Sequence, residues 1–427
     1  MRELTPDDAR HAVLGGGVLA CGGGGWKHHG ELMGSLATSL EHPVLAGIDE
    51  LPDDTWVATV TAIGAPAAKH WEIRPVDYVH ALQELVKVAG VPIGAVMTAQ
   101  NGYSTTLNGW IQSSVLGVKV LDTAGDVRAH PTGKLGGLGL GERPGYESIQ
   151  VVSGGNRALH GHFLSINKGN LNTVDNVLRD ISVRTGGFIA SARNPVELDW
   201  VKANGAHGSI SLALDLGSDL AAAGPGNAAV EAVRGRLGAE VIDAGPLRLE
   251  KRTRTVGGWD RGTFRIGDHT VPYLNEFMAV DGPSGRVATY PDTIVVIDKA
   301  TGEGLAVKDA GRGGQDVVLL VAKAGTLPVS SSSIDRAGLV ECEQIMGIGF
   351  LEYLDAGLRP GAAAYQSLLV EPALLVEPAP LVELVGTTGP VSTLRDAGSF
   401  LAGSSGEPGS TSGSAVGTAR RAGGRSR

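Results

Sequence analysis

Length, composition and charge set the first limits on this chain. Its 427 residues, of which 42% are hydrophobic, are enough for two or three domains with hydrophobic cores. A net charge of −9 argues against a nucleic-acid-binding surface, and two cysteines in total exclude a disulfide framework and a Cys-rich zinc module.

The opening segment carries no targeting signal that we recognise. MRELTPDDAR is charged and lacks the apolar stretch of a signal peptide, and no run of about 18 apolar residues follows. We therefore expect a cytoplasmic protein that does not cross a membrane.

The first half of the chain alternates between predicted helices and strands. Thr5-Pro6-Asp7-Asp8 is typical of a helix start, and that helix should fray at Gly15-Gly16-Gly17. A second helix is predicted over residues 26–40, followed by strands at 55–63, 93–98 and 118–121 and helices at 76–88 and 105–116. This alternation is typical of a mostly parallel sheet covered by helices, with ligands beyond the carboxyl ends of the strands.

The second half of the chain has a different pattern of predicted elements. Helices are predicted at 174–181 and 209–216, and antiparallel strands at 247–256, 262–266, 277–280, 287–290, 293–298 and 317–322. We predict an α/β domain over residues 1–160, a β-rich α+β domain over 161–357, a Pro-punctuated extension over 358–402 and a disordered tail over 403–427.

The stretch VLACGGGGWKHHG, residues 18–30, is the strongest candidate site. Each glycine in a regular element costs roughly 0.5–1 kcal/mol relative to alanine, so the run predicts a loop that approaches a ligand closely. Such a loop before a helix offers backbone N–H groups and a positive dipole end, which should lower the pKa of the Cys21 thiol. Cys21 could then be a nucleophile or a non-covalent part of the site wall. It could also be a small buried residue that packs a helix end.

His28 and His29 follow the run and could act as general acid or base. Adjacent residues on a helix point about 100° apart, so both cannot easily hold one ion, and no zinc-binding pattern surrounds them. We assign no metal ligand and predict no cofactor, although a metal site using one of these histidines stays open.

Several blocks resemble the S-methyl thiohydantoin desulfurase family, over roughly residues 5–355. The matching blocks are the glycine run after Ala20-Cys21, the turn Gly64-Ala65-Pro66, Asp122-Thr123-Ala124-Gly125 with Arg128 and Pro131, and residues 183–187, 208–217, 254–266, 290–305 and 346–353. Two segments depart from the family pattern: Trp26-Lys27-His28-His29 and Gln100-Asn101-Gly102-Tyr103. Both lie at the expected site, so the resemblance leaves the substrate open.

The resemblance implies hydrolytic release of methanethiol from an S-methylated thiohydantoin ring, leaving a hydantoin. The predicted catalytic residues are Cys21, His28 and His29. The predicted substrate-binding residues are Gly22, Gly23, Gly24, Gly25, Gly64, Ala65, Pro66, Gln100, Asn101 and Asp122. A homo-oligomer and a hydantoinase-like protein partner are also expected.

Two other functions stay open at this stage. The chain could be a non-catalytic metabolite-binding or accessory subunit of a hydantoinase- or oxoprolinase-type enzyme. It could also be a metal-dependent cyclic amidohydrolase, which is the weaker alternative.

Overall fold

Three β-sheets, flanked by helices, make up the described part of the chain. The computed structural model describes residues 1–64, 70–255, 258–310, 314–354 and 358, which belong to one compact unit. The strands are β1 (Arg2–Glu3), β2 (Val44–Ala46), β3 (Trp56–Gly64), β4 (Ile93–Thr98), β5 (Lys119–Ala124), β6 (Ser148–Gly154), β7 (Phe163–Gly169), β8 (Phe188–Glu197), β9 (Ala206–His207), β10 (Glu240–Pro246), β11 (Arg248–Arg254), β12 (Asp260–Ile266), β13 (His269–Leu274), β14 (Glu276–Phe277), β15 (Ala279–Gly282), β16 (Gly285–Thr289), β17 (Thr293–Asp298) and β18 (Asp316–Ala322).

Helices cover the sheets and connect the parallel strands. They are α1 (Pro6–Leu19), α2 (Lys27–Leu40), α3 (Pro75–Ala89), α4 (Trp110–Leu116), α5 (Arg157–His160), α6 (Leu171–Arg184), α7 (Leu198–Asn204), α8 (Ser209–Ala223), α9 (Asn227–Leu237) and α10 (Arg336–Met346). Within the described residues, none of these helices has the length and apolarity needed to cross a membrane.

Sheet A, formed by β1 to β9, is mixed. Its order is β1-β2-β5-β4-β3-β8-β6-β7, with β9 beside β5. The neighbours β2, β5, β4 and β3 are parallel, as predicted, whereas β8, β6 and β7 extend the sheet with antiparallel pairing. The predicted α/β class is confirmed, and the parallel part of the sheet is confined to these four strands.

Local capping explains where α1 begins. The Thr5 hydroxyl accepts a hydrogen bond from the Asp8 N–H at 3.2 Å, and the Asp8 carboxylate accepts one from the Thr5 N–H at 2.8 Å. This reciprocal pair is a capping box, and Pro6 occupies the first turn as expected.

The expected fraying of α1 at its three glycines is wrong. The helix continues through them to Leu19 because helix α8 packs directly against it. A Cβ on Gly15 would lie 1.9 Å from the carbonyl oxygen of Ala213, and a Cβ on Gly217 would lie 1.9 Å from that of His11. The glycines therefore allow two helices to cross at close range.

The later part of the chain is β-rich, as predicted. Sheet B contains β10, β18 and β17, and sheet C contains β11 to β16, all antiparallel. The domain boundary predicted at residue 160 stays a prediction, and β7 and β8, which follow it, complete sheet A. Apart from residue 358, the predicted extension and tail lie outside the described residues.

Candidate functional site

The glycine run forms the loop between α1 and α2. Cys21 and three of the four glycines have positive φ, from 46° at Cys21 to 92° at Gly22, a backbone region that favours glycine. The Cys21 carbonyl accepts a 2.7 Å hydrogen bond from the Phe277 N–H, and the Gly22 carbonyl accepts one of 2.8 Å from the Val307 N–H. The loop is therefore fixed against the β-rich half of the chain.

Close contacts explain why the run contains no side chains. A Cβ on Gly23 would lie 2.1 Å from Oε1 of Glu276, and a Cβ on Gly25 would lie 1.9 Å from Oγ of Ser104. Real Cβ atoms do not come so near other atoms, so alanine at either position would displace its neighbour. The glycines therefore allow the loop to pack against side chains of this chain, and the close approach to a ligand stays a prediction.

The run lines a cavity between sheet A and the β-rich half. The cavity has an empty volume of about 1090 Å³, its open mouth included, which is large enough for a small heterocyclic ligand. Side chains in its wall include Trp26, His29, Gln100, His130, Asp175, Arg179, Phe188, Arg193 and Glu276.

Cys21 lies apart from this wall. The residue is 1% exposed, and the cavity is lined by its neighbours in the glycine run and not by Cys21 itself. Burial raises the pKa of the thiol to about 11, so the predicted lowering of its pKa is wrong. The helix end and the glycine amides do not compensate for removing a thiolate from water.

The two adjacent histidines have different surroundings. His29 is buried in the cavity wall, where its Nε2 lies 3.2 Å from the Tyr78 hydroxyl, and burial lowers its pKa to about 4. His28 is exposed outside the wall, with its ring centroid 6.0 Å from that of Trp71. The structure thus brings only His29 of the pair to the cavity.

Of the other predicted binding residues, some line the cavity and others do not. Gly64 and Gln100 line the cavity, whereas Asn101 and Asp122 do not. Asn101 donates from its amide nitrogen to two backbone carbonyls. The Asp122 carboxylate instead accepts hydrogen bonds at the start of α8, including two of 2.9 Å from backbone N–H groups. Ala65 and Pro66 lie outside the described residues.

Glu276 is the most unusual wall residue, and the sequence reasoning did not include it. The residue is 4% exposed, and its Oε2 is buried with no hydrogen-bond partner among the described residues. Burial raises the pKa of the carboxyl to about 8, and the nearby charges of Arg128 and Arg179 oppose this rise. The side chain can therefore change protonation near neutral pH.

Two arginines bring positive charge to the wall. Arg193, on β8, lies 3.4 Å from Oδ1 of Asp175, and its Nε is buried without a hydrogen-bond partner in the described part of the chain. Arg179, on α6, donates from Nη2 to the Pro131 carbonyl and stacks over the ring of Trp259. Its Nη1 has no hydrogen-bond partner within the described ranges. Neither arginine was foreseen.

His130 adds a further unpaired nitrogen to the wall. Its Nδ1 is buried without a hydrogen-bond partner among the residues that the structure describes, and Oδ2 of Asp126 lies 3.7 Å away. Burial, together with the charges of Arg193 and Arg128, lowers the pKa of His130 to about 3. The imidazole is thus neutral at physiological pH.

The residues offer little to a metal ion. In the described ranges, no group of three or more His, Cys, Asp or Glu side chains is arranged to hold one. The open possibility of a metal site at His28 or His29 gains no support from their neighbours. The expectation of no cofactor stays a prediction.

One kind of sequence signal could have found the missed residues. Arg193 stands inside a strand of mostly small and apolar residues, FIASARNPVE, and a charged side chain in such a strand must have a partner or a ligand. Glu276 lies between Asn275 and an apolar segment, which gives a similar but weaker indication.

Two family models match most of the chain. The N-terminal domain of the S-Me-THD-like family matches residues 7–140, and its C-terminal domain matches residues 169–338. A crystal structure of a protein from Chromobacterium violaceum is similar, with a TM-score of 0.61 and 18% identity over 82% of this chain and 98% of that one. Such low identity establishes the fold alone. No curated protein matches the chain.

Proposed function

The chain belongs to the S-Me-THD-like family, and on that premise we propose that it hydrolyses a small five-membered cyclic amidine such as an S-methyl thiohydantoin. Water attacks the ring carbon that carries sulfur, the C–S bond breaks, and a carbonyl forms. One water proton ends on the ring nitrogen and the other on the departing thiolate, giving a hydantoin and methanethiol.

Glu276 carries this proposal. The reaction needs a proton on the ring nitrogen or the thiolate as the C–S bond breaks, and a carboxyl whose pKa is about 8 holds that proton at neutral pH. An ordinary glutamate would be ionised there. Glu276 lines the cavity, and its Oε2 atom has no hydrogen-bond partner among the described residues, which supports a role for this carboxyl toward a ligand.

The aromatic residues of the wall suit a planar ring. The rings of Trp26 and Phe188 meet edge to face with centroids 4.4 Å apart, and both residues line the cavity. Aromatic faces bind flat heterocycles and thioether groups well. The backbone N–H groups of the glycine run, in the same wall, can stabilise negative charge that develops on the ring.

Cys21 takes no direct part in the proposed reaction. A buried thiol whose pKa is about 11 is a poor nucleophile, so direct attack by water accounts for the reaction better than a covalent intermediate. His29 is neutral at pH 7 and lines the cavity, which allows it to accept a hydrogen bond from the attacking water. His28 has no part in the step.

Turnover by the purified chain tests the proposal. Thiol release from an S-methyl thiohydantoin is followed with a thiol reagent, and the ring product is identified by mass spectrometry. We expect Glu276→Gln to lower kcat by about 100-fold or more, a typical contribution of general acid catalysis. The control Glu31→Gln changes an exposed residue of α2 and should leave turnover unchanged.

The same assay separates the alternatives. Tight binding of the ring without release of thiol would favour the accessory, metabolite-binding function over the hydrolase. Turnover that is lost on chelation and restored by a divalent metal would favour the metal-dependent amidohydrolase. The expected homo-oligomer and hydantoinase-like partner stay predictions.

A further inference from the structure

We propose that the Tyr78 hydroxyl donates a hydrogen bond to a carbonyl oxygen of the ligand ring, and that it thereby selects rings with a carbonyl at a carbon other than the one that carries sulfur. The choice of ring and the assignment of the donor to Tyr78 rest on the proposed function. The presence of an unused hydrogen-bond donor is argued from the cavity wall itself.

Two helices bring Tyr78 together with His29. Tyr78 lies on α3 and His29 on α2, and both residues are buried and line the cavity. The Tyr78 hydroxyl lies 3.2 Å from Nε2 of His29, and the two ring centroids are 6.1 Å apart. The pair therefore forms one hydrogen-bonded unit in the wall.

A count of protons shows that this unit has a donor to spare. A phenol carries one proton, and a neutral imidazole carries one N–H. His29 is neutral at pH 7, because burial lowers its pKa to about 4. Among the residues that the structure describes, the contact between the two side chains is the one side-chain hydrogen bond of either residue. One hydrogen bond uses one proton, so the second proton has no acceptor there, whichever nitrogen of His29 is protonated.

The proposed reaction decides which donor is left. If Tyr78 donated to Nε2, the His29 proton would sit on Nδ1, and the imidazole could not accept a hydrogen bond from water. If Nε2 donates to the Tyr78 oxygen, Nδ1 is the acceptor that the reaction uses, and the Tyr78 O–H is unused. Tyr78 lines the cavity, which supports a role for this O–H toward a ligand.

The surroundings of the hydroxyl favour an uncharged acceptor. Tyr78 and Ile73 belong to one apolar cluster, against which Trp71 and Phe188 pack. Burial and the charge of Asp77 raise the pKa of Tyr78 above its ordinary value, so the phenol keeps its proton. A carbonyl oxygen suits such a wall better than a carboxylate, whose burial costs far more.

Two unreactive rings test the inference without turnover. Hydantoin and imidazolidin-2-one differ at one ring carbon, which is a carbonyl in the first and a CH₂ group in the second. Calorimetry gives the Kd of each ring. We expect the unsubstituted protein to bind hydantoin about 3- to 10-fold more tightly, the usual effect of one neutral hydrogen bond.

Two tyrosine variants locate the effect. Tyr78→Phe removes the hydroxyl and keeps the ring, so it should abolish the preference for hydantoin. Tyr353→Phe, at an exposed position outside the cavity wall, should retain it. Equal affinity of the unsubstituted protein for the two rings, a Tyr78→Phe protein that keeps the preference, or no binding of either ring would overturn the inference.

Nitrogen-15 NMR of histidine-labelled protein gives a second measurement. The His29 signals are those that disappear in His29→Gln, and their shifts show which ring nitrogen carries the proton. We expect the proton on Nε2 in the hydantoin complex. A proton on Nδ1 would make His29 the donor and overturn the assignment to Tyr78.

The two proposals fail separately. If hydantoin is preferred through Tyr78 but no S-methyl thiohydantoin is turned over, the carbonyl contact stands and the hydrolase does not. If thiol is released and Tyr78→Phe changes neither the ring preference nor kcat/KM, the hydrolase stands and the carbonyl contact does not.

Discussion

Burial determines the protonation state of Glu276. The amino-acid sequence alone does not show that this residue is buried. In the sequence it is one of many acidic residues. Only the packing of Gly23 against its carboxyl, and the absence of a partner for Oε2, distinguish it. These contacts join positions more than 250 residues apart, so no local pattern predicts them.

The raised pKa of Glu276 predicts a specific pH profile. If the protonated carboxyl donates the proton, kcat/KM should be constant near pH 7 and fall above about pH 8, because the acid form is lost there. Initial rates of thiol release between pH 6 and 9.5 measure this. The residual kcat/KM of Glu276→Gln should not fall above about pH 8. If kcat/KM of that variant still falls there, a group other than Glu276 causes the decrease.

Cys21 gives the second prediction at this scale. Because the thiol lies outside the cavity wall, Cys21→Ala should keep kcat within about threefold and lose about 1 kcal/mol of stability through a small cavity. Cys342→Ala, at another buried cysteine, is the matched control. A folded Cys21→Ala protein with a 100-fold lower rate would restore the covalent mechanism.

At the scale of secondary-structure elements, the residues nearby in sequence predicted where a helix begins better than where it ends. The capping box at Thr5 and the predicted strand at 93–98 were found because nearby residues specify them. The continuation of α1 through its glycines depends on α8, about 200 residues later in the chain. Strand β8 was missed for the same reason, since its partner β3 lies far earlier in the chain, whereas the hairpin of β6 and β7 was missed although its two strands are close in sequence.

The glycine run offers a prediction about an element as a whole. Gly23→Ala should lower turnover at least 10-fold, because the new Cβ would lie 2.1 Å from the Glu276 carboxyl and displace it. Gly235→Ala, within α9, meets no atom within 4 Å and should be neutral or stabilise by about 0.5–1 kcal/mol. Kinetics and urea denaturation of both variants measure these effects. Unchanged kinetics in Gly23→Ala would show that the carboxyl position is unimportant.

At the scale of the whole molecule, Arg128 connects the two halves. Its buried guanidinium donates to the backbone carbonyls of Phe277 and Asp292, and it lies over the ring of Tyr290. The sequence analysis named Arg128 only as part of a block that resembles the family. Its actual partners lie about 150 residues later, in the β-rich half.

Arg128→Met should therefore destabilise the whole protein. Loss of the donors removes the hydrogen bonds that Arg128 supplies to the carbonyls of Ala129, Phe277 and Asp292. Each buried carbonyl left without a partner costs about 1–3 kcal/mol. Urea denaturation followed by fluorescence and by circular dichroism measures the change. Arg10→Met, at an exposed position of α1, should change stability by less than about 0.5 kcal/mol. If Arg128→Met loses no more stability than Arg10→Met, the packing of the two halves does not depend on Arg128.

The fold class and the order of most elements followed from hydrophobic periodicity, which each segment carries by itself. The cavity could not be predicted in this way, because its wall combines residues of both matched domains. The glycine run and Gln100 belong to the first domain, and Arg179, Arg193 and Glu276 belong to the second. Proximity in sequence placed the candidate site at Cys21 and the histidines. The charged residues of the cavity wall come near this site only in the folded structure, and they supply its acid and base groups.

The hydrogen bonds from Phe277 and Val307 to the carbonyls of the glycine loop have a practical consequence. A protein cut into separate pieces between the two matched domains would expose those carbonyls and leave each piece with half a binding pocket. Ligand binding would then require the fragments to reassociate, so complementation of co-expressed halves would report how tightly the pieces recognise each other.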